Sequence, residues 1–179
     1  QEIRDIVNTI TQQRPGMEVK TGEIYPTNPA PVLLAGRDNI RLDVAVWGFP
    51  NFRSKSGVII NARAETALDK KTFRESLLSR RCVIPSTGFF EWTKTGAKKK
   101  YLFRETGKSL LYMAGIYNDY GNERRYVILT TDANQSVQEI HIRMPVIVHQ
   151  QEIGDWIKKD AAMQKILARV PPALTAVQA

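Results

Sequence analysis

The chain has 179 residues, of which 42% are hydrophobic and 25% are charged, a composition typical of one globular domain with a sizeable buried core. Its formal net charge of +8 favours a polyanionic partner, nucleic acid before an anionic membrane, although a merely basic surface would give the same total. The single cysteine, Cys82, excludes an intrachain disulfide and, with only two histidines, a zinc site of the usual kind, and no apolar run approaches the about 20 residues of a membrane span.

The first predicted element is an amphipathic helix at the very start of the chain. Ile3, Ile6, Val7 and Ile10 share one face at helical spacing, and the helix begins without a cap or an initiator methionine. We therefore expect the natural protein to have further residues before Gln1.

A segment rich in proline and glycine, residues 14–36, predicts short extended pieces joined by turns. Asp38-Asn39 then separates two apolar runs, 31–37 and 40–49, which predicts a β-hairpin. A loop leads from this hairpin to a strand predicted over 58–66, with the sequence VIINARAET.

A helix is predicted over 68–80, with Asp69 as its N-terminal cap. Its expected buried side chains are Leu68, Phe73, Leu77 and Leu78. The next predicted strands cover 82–85, 88–92, 99–105, 109–117 and 124–131. Asp132 is predicted to cap a short helix over 133–140, which is followed by an extended segment over 141–148 and two C-terminal helices.

Strands dominate this order of elements, with helices at both ends and between the strands. The pattern predicts an α+β fold of a single domain, with a largely antiparallel sheet that is curled or closed into a barrel and flanked by helices. The sequence lacks the strand–helix alternation of a doubly wound sheet, a glycine-rich phosphate loop and a G-x-S-x-G nucleophile elbow.

A polar stripe lies within the predicted strand 58–66. Because side chains alternate along a strand, Asn61, Arg63 and Glu65 project to one face, away from Ala62 and Ala64. One interpretation is a solvated face on which Arg63 pairs with Glu65. The other is a site in which Arg63 clamps a phosphate and Asn61 orients a reacting group.

Glu91 lies among aromatic residues in the segment GFFEWT, where it shares a face with Phe89. A carboxylate against an aromatic ring loses solvation, which raises its pKa and suits it to act as a general acid. The alternative is an exposed glutamate at the end of a strand.

His141 and Arg143 face away from Ile140 and Ile142 if the segment EIHIRMPVIV is extended. Histidine is the natural proton shuttle near pH 7, but a lone histidine beside apolar residues is also a common structural residue. Arg143 has two candidate partners, a phosphate or an acidic side chain. Cys82 is expected to be buried and structural.

Two basic regions are candidates for nucleic-acid binding. Lys98–Lys100 with Arg124-Arg125 form either a basic patch or a solvated strand edge. The loop 48–57 interleaves aromatic and basic side chains, which suits the stacking of bases of a single strand. In this region Trp47 and Phe49 could instead pack into the core, and Phe52 is the freer aromatic residue.

The motifs NARAET, RRCVIPSTGFFEW and HIRMPVIV, in this order, closely resemble those of the SOS-response-associated peptidase (SRAP) family of abasic-site-processing proteins. The segments PTNPAP and VWGFP resemble two further motifs of the family, so that the likeness runs from Tyr25 to Val148. The resemblance implies the SRAP fold and action on single-stranded DNA that carries an abasic site. It also implies that the protein removes its own initiator methionine and exposes an N-terminal cysteine, whose amine and thiol form a thiazolidine cross-link with the opened sugar.

The resemblance implies a role for each matching residue. Asn61 would position the reacting N-terminus, Glu91 would donate and accept a proton, and His141 would lie near the opened sugar. Arg63 would bind a DNA phosphate. The predicted catalytic residues are therefore Asn61, Glu91 and His141, and the predicted DNA-binding residues are Arg63, Arg143, Pro31, Trp47, Phe52 and Arg53.

Two departures from the family pattern are visible. The family start, Met-Cys-Gly-Arg, is not present, and Cys82 lies in a different motif, so it is not the expected nucleophile. Ile142 stands where many members of the family have aspartate, which is expected to weaken a hydrogen bond that orients His141 or Arg143.

The predicted function is that of an abasic-site sensor in the DNA damage response, which cross-links to single-stranded DNA without a cofactor or metal. We expect a monomer in the cytoplasm, associated with the nucleoid. The rival hypothesis is a domain that binds single-stranded nucleic acid without covalent chemistry. A peptidase that acts on other proteins is a third hypothesis, for which no Ser-His-acid or Cys-His set can be assembled with confidence.

Overall fold

A computed structural model describes residues 2–13, 15–16, 19–54 and 57–179. Its helices are α1 (Glu2–Gln13), α2 (Lys71–Ser79), α3 (Ile153–Lys158), which follows a 3-10 turn at Gln150–Glu152, and α4 (Asp160–Ala168). Its strands are β1 (Pro29–Ala35), β2 (Ile40–Trp47), β3 (Phe49–Pro50), β4 (Val58–Ile59), β5 (Asn61–Arg63), β6 (Arg81–Ser86), β7 (Phe89–Trp92), β8 (Lys100–Arg104), β9 (Leu111–Tyr120), β10 (Glu123–Asp132), β11 (Arg143–Pro145) and β12 (Thr175–Gln178).

The main sheet is curled into a closed ring, because β10 pairs with β2 on one side and with β9 on the other. The ring runs β10-β2-β1-β6-β9, while β11 and β5 add to β10 along its C-terminal half. All pairings within this sheet are antiparallel except those of β10 with β2 and with β5. The predicted α+β fold with a largely antiparallel, curled sheet is confirmed.

Two apolar clusters lie on the two faces of this sheet, because successive side chains of each strand point in opposite directions. In β10, Val127 and Leu129 belong to the first cluster, whereas Tyr126 and Ile128 belong to the second. Helices α2, α3 and α4 cover the first cluster. The second cluster contains Phe103 of β8, and the small sheet β12-β8-β7 covers it.

The strand predicted over 58–66 is divided in the structure. It forms β4, which pairs with β3 in a separate sheet, and β5, which pairs with β10. The break falls at Ile60, whose carbonyl oxygen accepts hydrogen bonds from the Trp47 Nε1 atom at 3.0 Å and from the Ile128 amide at 3.1 Å. The predicted alternation nevertheless persists past the break, since Ala62 and Ala64 are buried and Asn61, Arg63 and Glu65 are exposed.

Helix α2 begins later than predicted, and its cap was wrong. Lys70 precedes the helix without a side-chain capping bond, whereas Asp69 lies in the turn before it. Leu77 is fully buried, but Leu68 and Leu78 are 37% and 45% exposed. Leu78 lies 100° around the helix axis from Leu77, on the side of α2 that is turned away from the core.

The helix predicted over 133–140 is replaced by consecutive turns, and Asp132 is the last residue of β10 rather than a cap. Asn134 organises this segment instead. Its side-chain oxygen accepts hydrogen bonds from the amide and hydroxyl of Ser136 at 3.0 and 2.6 Å. Its Nδ2 atom donates to the carbonyl oxygens of Pro171 and Pro172 at 2.9 and 3.0 Å, which ties the turns to the C-terminal segment.

Replacing Asn134 with alanine is expected to lower the free energy of unfolding by about 1 kcal/mol, because the hydrogen bonds of its side chain to Ser136, Pro171 and Pro172 are lost. Urea denaturation measured by circular dichroism tests this value. Gln135→Ala, at the exposed neighbouring position, is the control and is expected to leave the unfolding midpoint unchanged. Equal midpoints for Asn134→Ala and the parent chain would contradict the assigned role.

Both predicted C-terminal helices are present as α3 and α4, and the first helix is present as α1 with Ile10 buried. The strand predicted over 109–117 is longer in the structure, since β9 continues to Tyr120. In the described part of the chain, no helix combines the length and the apolar character that crossing a bilayer requires.

Candidate active site

Glu91 lies in β7 on the face that points towards the main sheet. Phe89, two residues earlier, stacks on Phe103 at a centroid distance of 5.2 Å, and both rings pack into the second apolar cluster. Gly88 permits this close approach of β7 to β8, because an added Cβ atom would lie 2.4 Å from the carbonyl oxygen of Phe103. Alternation along β7 then directs Glu91 to the same side as Phe89, where its side chain is 27% exposed.

Burial raises the pKa of the Glu91 carboxyl above its ordinary value of 4.5, because the charged form loses solvation. The charge of His141, a hydrogen bond from the Trp92 amide and the charge of Lys94 act in the opposite direction and offset only part of this effect. Glu91 thus combines a carboxyl that retains its proton to higher pH with a position at the edge of the solvent.

The imidazole of His141 lies beside this carboxyl. Its Nδ1 atom is 3.7 Å from the Oε1 atom of Glu91, and the His141 side chain is 24% exposed. The same Nδ1 atom lies 3.1 Å from the amide nitrogen of Arg143 and 3.0 Å from its carbonyl oxygen. The backbone of Arg143 therefore holds one ring nitrogen in either tautomer, as acceptor from the amide or as donor to the carbonyl.

Asn61 and Arg63 project from β5 on the face opposite to the buried Ala62. Within residues 2–13, 15–16, 19–54 and 57–179, the Arg63 guanidinium has no hydrogen bond or ion pair, and the Asn61 side chain has none either. An exposed guanidinium without a carboxylate partner is available to an external anion.

A series of direct contacts connects β5 with Glu91. Arg63 pairs with Thr130 of β10, and the carbonyl oxygen of Thr130 accepts a hydrogen bond from Arg143 Nη2 at 2.7 Å. The Arg143 backbone contacts His141, and His141 lies beside Glu91. Three segments that are distant in the sequence thus meet along one edge of the main sheet.

Arg143 is paired with acidic side chains. Its Nη1 and Nη2 atoms donate to the two carboxylate oxygens of Glu65 at 3.0 and 2.7 Å, and Nη1 also donates to Asp132 Oδ1 at 2.6 Å. Burial alone would raise the pKa of Glu65, but the hydrogen bonds and charge of Arg143 outweigh this effect and lower it. The interpretation in which Arg63 pairs with Glu65 is wrong, because Glu65 binds Arg143 instead.

Two of the residues predicted to bind DNA are packed against other parts of the protein. Pro31 is buried in β1 opposite Val44. Trp47 stacks on Tyr126 at a centroid distance of 6.4 Å and donates its indole hydrogen to Ile60. Pro31 therefore offers no surface to DNA, whereas Trp47 is only half-buried and keeps part of its surface exposed.

Phe52 and Arg53 are exposed, Phe52 to 84%. Phe52 borders an open cavity of about 500 Å³ that is also lined by Pro50, Val58 and Arg125. Of the other residues of this loop, Lys55 lies outside the described residues, and Phe49 is fully buried. Phe52 therefore keeps the free aromatic surface that base stacking requires.

The basic residues outside the loop do not form one patch. Lys98 and Lys99 are exposed, but Lys100 lies 3.9 Å from the centre of the Phe90 ring and pairs with Glu23. Arg124 pairs with Asp43 and Asp119, and Arg125 pairs with Glu123. The predicted combination of Lys98–Lys100 with Arg124-Arg125 therefore supplies few free charges.

Cys82 is fully buried in β6, and burial raises the pKa of its thiol, which is typical of a structural cysteine.

Sequence reasoning gave no role to Lys94 and did not foresee the partner of Glu65. Lys94 is exposed in the turn after β7, close enough for its charge to act on Glu91. Its separation of three residues from Glu91 was the only available signal.

The raised pKa of Glu91 predicts how stability depends on pH. Between the pKa of the unfolded chain and the higher pKa of the folded chain, only the folded chain retains this proton, so Glu91 makes stability fall as pH rises. Glu91→Gln is expected to remove this loss and to be more stable than the parent chain at pH 7, with a smaller difference at pH 4. Urea denaturation at the two pH values measures this, and a difference that is larger at pH 4 would contradict the assignment.

A family model and the curated relatives of the sequence point to the same family. The sequence matches the family model described as SOS response associated peptidase (SRAP) over residues 1–178. It is 35% identical over 153 residues to the abasic site processing protein YoaM of Bacillus subtilis (strain 168), covering 76% of this chain and 67% of YoaM. It is 31% identical over 137 residues to the abasic site processing protein YedK of Escherichia coli (strain K12), covering 72% of this chain and 61% of YedK.

Solved structures support the same fold. A protein from Bordetella bronchiseptica superposes with a TM-score of 0.79 at 24% identity, covering 98% of this chain and 94% of that protein. A protein from Bacteroides thetaiotaomicron superposes with a TM-score of 0.71 at 30% identity, covering 85% of this chain and 74% of that protein. Because the family model spans residues 1–178 and YoaM is 35% identical over 76% of the chain, this chain belongs to the SOS response associated peptidase (SRAP) family.

Proposed function

We propose that this protein processes abasic sites in single-stranded DNA by forming a covalent thiazolidine cross-link. The observation that carries the proposal is the pair of Glu91 and His141, whose side-chain atoms approach to 3.7 Å at the edge of the sheet that bears Asn61 and Arg63. The names of the relatives, abasic site processing proteins, support the choice of substrate. The nucleophile would be a cysteine at the mature N-terminus, upstream of Gln1, which is exposed when the protein hydrolyses the bond after its initiator methionine.

The reaction needs two additions to one carbon atom. In the ring-opened abasic sugar, the α-amine of the cysteine attacks the aldehyde carbon, and loss of water leaves a Schiff base. The thiol then adds across the carbon–nitrogen double bond, the new carbon–sulfur bond closes the five-membered ring, and the nitrogen retains one hydrogen. An α-amine with a pKa of about 8 is partly unprotonated at pH 7, so the first step can proceed in neutral solution.

Glu91 is suited to the proton transfers of this sequence. Its carboxyl would donate a proton to the departing water and accept one from the attacking groups, and its raised pKa keeps part of it protonated as pH rises. His141 would assist beside the opened sugar, and Asn61 would orient the amine. Removal of the initiator methionine would use the same groups around a water molecule.

Binding of the strand would use the free charge of Arg63 and the exposed ring of Phe52. Arg63 would hold a phosphate, Phe52 would stack on a base, and Arg53 would follow the backbone. Lys94, an exposed residue whose charge acts on the Glu91 carboxyl, would offer a further contact to phosphate. This arrangement also favours the second candidate function, non-covalent binding of single-stranded nucleic acid, because Arg63 and Phe52 need no cysteine to act.

The experiment uses the natural protein with its mature N-terminus and a single strand that contains one abasic site. A band of reduced mobility on a denaturing gel, absent with an intact strand, is expected. Cysteine-to-serine substitution at the mature N-terminus is expected to remove the band. If no such band forms although the strand is bound in a native gel, the covalent proposal fails and the non-covalent function remains.

A further inference from the structure

The contacts of Arg143 leave its guanidinium with no exposed donor for an external anion. The four hydrogens on Nη1 and Nη2 match four acceptors, the two oxygens of Glu65, Asp132 Oδ1 and the carbonyl oxygen of Thr130. The fifth donor, Nε, is buried and has no partner among the described residues. A phosphate could bind this group only by breaking contacts that already exist.

The charges around Arg143 lead to the same result. One guanidinium faces two carboxylates, so the cluster carries net negative charge and repels a DNA backbone. The Arg143 side chain is only 16% exposed, whereas its partners Glu65 and Asp132 are 43% and 88% exposed. The carboxylates, and not the arginine, face the solvent.

Arg143 does face the candidate active site through its backbone. Its amide nitrogen and carbonyl oxygen lie 3.1 and 3.0 Å from His141 Nδ1. His141 lies between the turns at 135–140 and β11, and not within a strand. The regular hydrogen bonds between strands therefore do not fix the position of its backbone. The orientation of the imidazole thus depends on how firmly residue 143 is held.

Among the described residues, Glu65 alone makes a bidentate contact to Arg143, from 78 positions away in the sequence. Glu65 is itself held by a hydrogen bond from the Thr131 hydroxyl at 3.1 Å. The clamp therefore joins the segment after β5 to the start of β11 across β10. It holds the Asn61 and Arg63 strand and the His141 segment in one arrangement.

We propose that Glu65 is a positioning residue of the reaction: it clamps Arg143, whose peptide groups then fix the imidazole of His141 beside Glu91. The proposal rests on the proposed function for its kinetic consequence but not for its structural one. Glu65 itself does not touch the DNA in this arrangement. Its loss should slow the chemistry and leave the affinity for the strand unchanged.

The test is Glu65→Gln, which keeps the size of the side chain and removes the charge that holds Arg143. Single-turnover cross-linking is measured over a range of DNA concentrations. The maximal rate is expected to fall by about 10- to 100-fold, because misplacing a reacting group by about 1 Å costs as much. The half-saturating concentration is expected to stay constant.

The second readout needs no DNA. The chain has two histidines, His141 and His149, so long-range proton–nitrogen correlation spectra contain two imidazole patterns, which His149→Gln assigns. The His141 pattern is expected to change in Glu65→Gln, and the His149 pattern is expected to stay the same. Glu75→Gln, which removes an exposed glutamate paired with Arg80 on α2, is the matched control and should change neither readout.

The outcomes separate this proposal from the proposed function. If the parent protein does not cross-link but the His141 pattern changes, the covalent function fails and the clamp stands. If the half-saturating concentration rises with an unaltered His141 pattern, Glu65 does not act through His141 and the clamp is overturned. A rise in affinity for the intact strand would mean that Arg143 is freed to bind phosphate, which also overturns the assigned role.

Discussion

Glu91→Gln is expected to reduce the rate of cross-linking to abasic single-stranded DNA by about 100- to 10,000-fold, the contribution of a positioned general acid–base. Glutamine keeps the shape of the side chain but can neither release nor take up the proton. The variant should bind the same strand as tightly as the parent protein, because Glu91 carries no contact that attracts phosphate. Single-turnover gels measure the rate, and fluorescence anisotropy with an intact strand measures the affinity.

The double variant Glu91→Gln, His141→Ala tests whether the two residues act as a unit. When two side chains serve the same proton transfer, the rate losses caused by replacing each of them do not add. The double variant should therefore be little slower than Glu91→Gln alone. Glu75→Gln provides the control for the charge change, since its carboxylate is 79% exposed on α2. A cross-linking rate of Glu91→Gln within a factor of about two of the parent rate would remove Glu91 from the mechanism.

Arg63→Ala is expected to weaken non-covalent binding of single-stranded DNA by about 10- to 100-fold at low salt, because a charge-assisted contact to phosphate is lost. The slope of the logarithm of affinity against the logarithm of salt concentration should become shallower by about one unit. Anisotropy titrations from low to moderate salt give both values. The effect should not depend on the base sequence, since phosphate contacts carry no sequence information.

Arg74→Ala is the matched control for this prediction. Arg74 is an exposed arginine on α2, the helix that covers the first apolar cluster, on the face of the sheet opposite to Arg63. Its removal lowers the net charge by the same amount, and a change in affinity equal to that of Arg63→Ala would show only a general effect of charge. Equal affinities for Arg63→Ala and the parent protein would exclude Arg63 from the interface.

The placement of the aromatic residues illustrates what a sequence pattern leaves open. Trp47 and Phe52 both stood near basic residues, and either could be predicted to stack on DNA bases. The structure stacks Trp47 on Tyr126, where it is half-buried, and leaves Phe52 84% exposed. The difference arises from β10, whose Tyr126 pairs with Trp47 in register, and residue types near Trp47 contain no information about that pairing.

The sequence by itself determined the faces of the strands, because alternation is a local property of an extended chain. The exposed Asn61 and Arg63 around the buried Ala62, and the inward position of Glu91 two residues after Phe89, followed from that rule alone. The likeness of several ordered motifs determined the family. The local capping rule failed at the start of α2, where Asp69 was predicted as the cap but Lys70 precedes the helix.

Only the tertiary structure decided which of these faces meet. One of the two interpretations of the polar stripe paired Glu65 with Arg63, two residues away. Glu65 binds Arg143 instead, because β10 lies between β5 and β11 and brings residues 78 positions apart into contact. The approach of His141 to Glu91 likewise depends on how the small sheet packs on the main one. Strand register and sheet closure set such contacts, and both are properties of the whole chain, because each pairing depends on every other strand in the ring.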